Sequence, residues 1–157
     1  MGRAVSRSDV RFREILDELG VVRPDAPMSI SDALERLREI AHIDALVCVR
    51  TVQHTSGWTI ERFFAANLPN SSRFRTLLAS YLGRANGKFG FFDPITPESD
   101  QRNTLVDLRA LVPAAELEAS RGFQEVLVPL RLDRHHLYRA LLCDGPSLLA
   151  WFGAFHV

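Results

Sequence analysis

Lysine is almost missing from this chain: of its 19 basic residues, Lys88 is the single lysine. With so much leucine and alanine, that arginine bias points to a GC-rich genome rather than to phosphate binding. Charge of one sign is missing too. The 19 acidic residues cancel the 19 basic ones, so no overall field draws the chain to nucleic acid or to an anionic membrane. Cysteine is scarce. Cys48 and Cys143 lie in apolar, strand-like runs and share no CxxC or Cys/His ligand spacing, which makes them reduced core residues of a cytoplasmic protein. No stretch approaches the roughly 20 apolar residues of a membrane span. The N-terminus, MGRAVSRSDVRFREILDELG, has no apolar run of signal-peptide length. A GxSxG elbow is absent, and GRANGKFG lacks the GxxxxGK[ST] pattern of a phosphate loop.

What is present is a chain of 157 residues, 46% hydrophobic and 24% charged, the values of an ordinary folded module. A single domain of this length buries roughly two thirds of the surface its unfolded chain exposes and needs no disulfides. There is no internal repeat and no low-complexity segment.

Phe12, Ile15, Leu16 and Leu19 recur at helical spacing between Ser8 and Gly20, which predicts a helix over about 9–19. A loop, VVRPDAPM, follows. Ser29-x-x-Asp32 resembles a capping box before the apolar stripe Ile30, Ala33, Leu34, Leu37, Ile40 and Ala41, so a second helix runs to near His42. DALVCVRTVQ (44–53) reads as a central strand, HTSG as a turn, and WTIERFFAAN (58–67) as the hairpin partner. Asn70 or Ser71 caps a helix carrying Phe74, Leu77, Leu78, Tyr81 and Leu82.

GKFGFFDP then offers a short aromatic strand, and Thr96-Pro97-Glu98 a helix start. The span 103–112 stays ambiguous between strand and helix. Pro113 opens a helical piece, PAAELEAS. In GFQEVLVPLRL the alternation of Val126, Val128, Leu130 and Leu132 competes with a helical set Phe123, Val126, Leu127 and Leu130, and a helix ending near Val128 is preferred. LYRALLCD and SLLAWFGAFHV close the chain as a hairpin about Asp144-Gly145-Pro146-Ser147. Hairpin-linked strands interspersed with amphipathic helices predict an α+β fold of PAS- or GAF-like layout, with helices in 1–43 and the sheet core in 44–157.

Chemistry-bearing residues are few. His135-His136 point to opposite faces if extended and have no acidic or cysteine partner at ligand spacing, so they read as a solvated turn. His42, His54 and His156 are isolated. Nothing local lowers the Cys48 thiol pKa, and no catalytic or metal site is assigned. The arginines of SRSDVRFRE interleave with acids as on a solvated helix face. Aromatics are more suggestive: Trp58, Phe63, Phe64, Tyr81, Phe89, Phe91 and Phe92 cluster around the second strand, the long helix and the aromatic strand. They fill the core or line a concave pocket. For a pocket, the candidate ligand-binding residues are Arg50, Trp58, Arg62, Tyr81 and Phe91, with the arginines as anchors for an anionic group.

Over residues 121–157 the chain resembles the GAF-like N-terminal sensory domains of bacterial LuxR-type helix-turn-helix regulators. The likeness rests on Leu127, Pro129 and Leu130, then Leu137, Arg139 and Leu142, then Trp151, Gly153 and Ala154. Tyr138 intervenes where that family has Leu-Arg adjacent. The resemblance implies a sensory domain that binds a small ligand or a protein partner, forms a homodimer through a terminal helix, and continues beyond residue 157 into a DNA-binding domain. It names no cofactor. Rival expectations are a dimerisation module without a ligand and a small redox enzyme using Cys48 or Cys143.

Overall fold

A computed structural model describes residues 29–84 and 97–156. The expected helix over 9–19, the loop after it, and the aromatic strand with Phe89, Phe91 and Phe92 lie outside the described residues.

The first described element, α1 (Ile30–Ile40), begins where the capping box said it would: the Ser29 hydroxyl accepts from the Asp32 amide at 3.1 Å while the Asp32 carboxylate receives the Ser29 amide. Such reciprocal capping satisfies two amide donors that a helix start otherwise leaves open. Two strands follow, β1 (Ala45–His54) and β2 (Gly57–Ala66), joined by the two residues Thr55 and Ser56. After them comes α2 (Ser71–Leu82), which buries Phe74, Leu78 and Leu82. Its N-cap is Asn70, but in the left-handed conformation and with no side-chain capping bond, so Asn70 serves the chain reversal rather than the cap.

The span left ambiguous in sequence proves to be both things in turn. Leu105–Asp107 is a short strand, β3, and Leu108–Leu111 a single helical turn, α3, started by the Asp107 carboxylate accepting from the Arg109 amide at 2.9 Å. Before it, the expected helix at Thr96-Pro97-Glu98 amounts only to a 3₁₀ turn, Ser99–Gln101. α4 (Ala114–Ala119) follows Pro113 as expected. The run after it is helical, as preferred, but wound as a π turn (Phe123–Leu127) and then a 3₁₀ turn (Val128–Leu130). Pro129 has no amide to donate, and the winding changes where it sits. The closing hairpin pairs β4 (His136–Asp144) with β5 (Ser147–His156) about Gly145 and Pro146.

The five strands among the described residues form one antiparallel sheet in the order β2-β1-β5-β4-β3, with helices on both faces: a GAF/PAS-like α+β arrangement. Strand alternation divides the core between the faces. Leu46, Cys48, Ala66, Phe152 and Ala154 pack with Ala33 and Leu34 of α1. Val47, Val49, Leu137, Leu141 and Phe155 face the other way, toward α2, α4 and the π turn. Phe74 of α2 links sheet and helix on that side, with its ring 6.0 Å from Phe63 and edge-on to Phe155 at 6.1 Å. No helix among the described residues is long and apolar enough to cross a membrane.

Candidate functional site

The strands β1, β5 and β4 meet at a gap in the sheet surface. Gly153 of β5 pairs with Val47 on one side and with Arg139 on the other, and it carries no side chain between them. Along its own strand, Trp151 and Phe155 rise on the same face. A Cβ placed on Gly153 would lie 4.0 Å from each of those two rings and 3.2 Å from Val47 Cγ2. Glycine inside a strand often marks the place where another group approaches the backbone closely. Here it floors a cavity.

That cavity holds about 160 Å³ and is partly enclosed. Its floor is Val47, Leu137, Arg139, Trp151, Gly153 and Phe155. One wall is the inner face of α2, with Phe74, Leu78, Tyr81 and Leu82. The opposite wall comes from Leu117 of α4, then Ser120, Gly122 and the π turn with Phe123, Val126 and Leu127. π turns recur at functional sites because the extra residue re-aims the side chains around it.

The two walls are tied together at one corner. Gly122 leaves room for the Tyr81 ring, whose nearest atom lies 3.5 Å from where a Cβ would stand. The Arg121 guanidinium sits 5.9 Å from the centre of that ring. Glu125 accepts from Arg121 Nε at 2.9 Å and from Arg84 Nη2 at 2.6 Å, so one carboxylate links the end of α2 to the π turn. Those arginines, Arg121 first, hold the Glu125 carboxyl below the usual carboxylate range.

Of the five residues expected to bind a ligand, Tyr81 lies on the cavity wall. Trp58 is buried in the same apolar core but is not a lining residue. Arg50 and Arg62 are cross-strand partners on the α1 side of the sheet, the face away from the cavity, and Arg50 meets Glu61 at 3.5 Å. Phe91 lies outside the described residues. Sequence reasoning passed over Arg139 and Gly153 as site residues although both stood in the motif it quoted. The available signal was alternation: in Leu137-Tyr138-Arg139-Ala140-Leu141 the arginine shares a face with two leucines, so it points inward.

Both cysteines are buried and unbridged, and they belong to opposite faces of the sheet. Burial pushes the Cys48 thiol up to about 12 and raises that of Cys143 as well. A thiol so disposed is a poor nucleophile at neutral pH. Among the described residues no group of three His, Cys, Asp or Glu side chains is placed to hold a metal ion. The chain matches no protein-family model, no curated protein and no solved structure.

Proposed function

We propose that this chain is a ligand-receiving regulatory domain, cytoplasmic and homodimeric, of a bacterial transcriptional regulator whose DNA contacts are made by a further domain. The observation that carries the reading is the apolar cavity of about 160 Å³ between the sheet and α2. An apolar space of about that size, lined by leucine and phenylalanine, stays dry and accepts a benzene-sized molecule. The GAF/PAS-like arrangement and the resemblance over residues 121–157 supply the regulatory context, and the buried, unreactive thiols speak against a cysteine enzyme. A ligand would act by binding one conformation more tightly than another, since an equilibrium shifts only by that difference.

The two tryptophans make the test direct. Trp151 lines the cavity and Trp58 does not. Trp58→Phe therefore leaves one reporter at the site, and Trp151→Phe leaves one away from it. Titration with small aromatic probes is expected to change the emission of the first variant and leave that of the second nearly constant. Native mass spectrometry beside a denatured control tests for a ligand carried from the cell. If no probe moves Trp151, and the mass is that of a bare dimer whose melting temperature depends on concentration, the ligand reading fails and a dimerisation module replaces it.

A further inference from the structure

The three heavy atoms nearest a Cβ built on Gly153 are Val47 Cγ2, Phe155 Cζ and Trp151 Cζ3, so a molecule resting on that floor lies among carbons. The peptide groups of Gly153 are engaged as well, since β5 runs between β1 and β4 and pairs with both. Among the described lining residues, the few polar side chains are already bonded, turned away or set at the edge. Ser120 Oγ donates to the Leu117 carbonyl at 2.7 Å and accepts from the Phe123 amide at 3.3 Å. Arg139 Nη2 donates to Gln101 Oε1 at 2.8 Å; Arg139 has a further partner, and Trp151 has one as well. Tyr138 packs its side chain on the α1 face. The Tyr81 hydroxyl belongs to the outer corner, 3.6 Å from where a Gly122 Cβ would stand and beside the exposed Arg121.

From this arrangement we infer that the cavity selects an uncharged, hydrocarbon-like molecule, a single alkyl-substituted ring or a short alkyl chain, and excludes its hydroxylated and ionised relatives. The inference rests on the reading of the cavity as a ligand site and adds the ligand's class. Selection comes from the cost of stripping water. A hydroxyl or carboxylate entering this space gives up its bonds to water and finds, among the described residues, no unoccupied side-chain partner over the floor. That penalty is largest for the ion. A methyl group at the same position loses no such bond and gains apolar burial. Ligand pockets commonly carry a few convergent polar groups that fix orientation. Here those groups are bonded within the protein, so shape orients the ligand, and the place for its ring is the space over Gly153 that a side chain would fill. Size sets the upper bound, because about 160 Å³ holds about one ring.

Toluene, phenol and benzoate are the probes, since they share the ring and differ in one substituent: methyl, hydroxyl or carboxylate. Titrated calorimetrically into the full chain, toluene is expected to bind at least about tenfold more tightly than phenol, the factor for one hydrogen-bonding group buried without a partner. Benzoate should give neither binding heat nor a change in Trp151 emission in Trp58→Phe at concentrations where toluene saturates. Gly153→Ala, whose methyl occupies the floor, should weaken toluene at least about threefold; an unchanged affinity overturns the placement of the ring. Phenol within about tenfold of toluene, or any binding of benzoate, overturns the selection while the cavity reading survives. The comparison of probes needs only the unaltered protein, so it decides the matter even if Gly153→Ala does not fold. If none of the three binds or moves Trp151 emission, the cavity reading fails first and this inference falls with it.

Discussion

Gly57 and Gly145 stand at the turns of the two hairpins, both with positive φ, yet alanine should be tolerated at one and not at the other. At Gly145, φ is +56° and a Cβ would meet nothing within 4 Å. Left-handed backbone costs a non-glycine residue about 1–2 kcal/mol, and the smaller entropy of an unfolded alanine chain returns about 0.4–1 kcal/mol. Gly145→Ala therefore costs about 1 kcal/mol or less. At Gly57, φ is +146°, and a Cβ would lie 2.5 Å from the Gly83 carbonyl oxygen and 3.0 Å from that of Leu82. Strain at such a φ is about 1–3 kcal/mol. The clash is with backbone, so relief requires the β1–β2 turn and the end of α2 to part by more than half an ångström. Leu82 is 1% exposed there, and a gap of about 0.5–1 Å forfeits a quarter to a half of each contact across it. Together these put Gly57→Ala at about 3 kcal/mol, or about 6–12 °C in melting temperature for a domain of this size. Urea unfolding of the two variants beside the parent chain measures the difference. Losses within about 1 kcal/mol of each other would refute the steric argument.

The Cys48 thiol, pushed up to about 12 by burial, makes stability pH-dependent on the alkaline side. Its folded pKa lies above the unfolded one, so its contribution is complete below about pH 9 and is lost as pH rises toward 12, at about 1.4 kcal/mol per unit. Cys48→Ala should flatten that fall while lowering stability near neutrality, and unfolding free energies from pH 8 to 11 would show whether it does. Asn103 is in the left-handed conformation and uses both ends of its side-chain amide on Cys143, accepting from its amide at 2.9 Å and donating to its carbonyl at 3.2 Å. Asn103→Ala should cost about 2–3 kcal/mol and free the Cys143 amide to exchange with solvent, and an unchanged exchange rate at Cys143 would contradict that role.

How much of this was legible in the sequence depends on how local each signal was. Both hairpins could be read because Thr-Ser-Gly and Asp-Gly-Pro-Ser announce a reversal between runs long enough to be strands. α1 and α2 could be read because four or more apolar residues repeat at offsets of three and four. β3 could not: Leu105–Asp107 is three residues long, and it is a strand because it pairs with Tyr138, Arg139 and Ala140, a long-range fact. The π turn hid inside a pattern equally suited to an ordinary helix. At the site the failure was one of register. Arg50 and Arg62, the expected anchors, are cross-strand partners on the face away from the cavity, while the order β2-β1-β5-β4-β3 sets Arg139, never weighed as a site residue, beside Gly153 of the floor.

A ligand this small leaves little freedom in how it could signal. Moving a two-state equilibrium from 1:99 to 99:1 needs about 5.5 kcal/mol of differential binding, while micromolar affinity totals about 8 kcal/mol. A one-ring ligand must therefore lose most of its binding energy in the other state, which means that the cavity is intact in one conformation and spoiled in the other. Sheet-borne floor residues, locked in register by β1, β5 and β4, are poorly suited to such a change. The wall of α2 against the π turn is better suited, because Tyr81 over Gly122 and the carboxylate of Glu125 between Arg84 and Arg121 join it at the surface. Glu125→Gln should then weaken probe binding while barely moving the melting temperature, and acid should mimic it, since a depressed carboxyl pKa gives a contribution present above the usual carboxylate range and lost as pH falls below it. Unaltered affinity in Glu125→Gln, measured at low ionic strength where such contacts are least screened, would place the moving wall elsewhere.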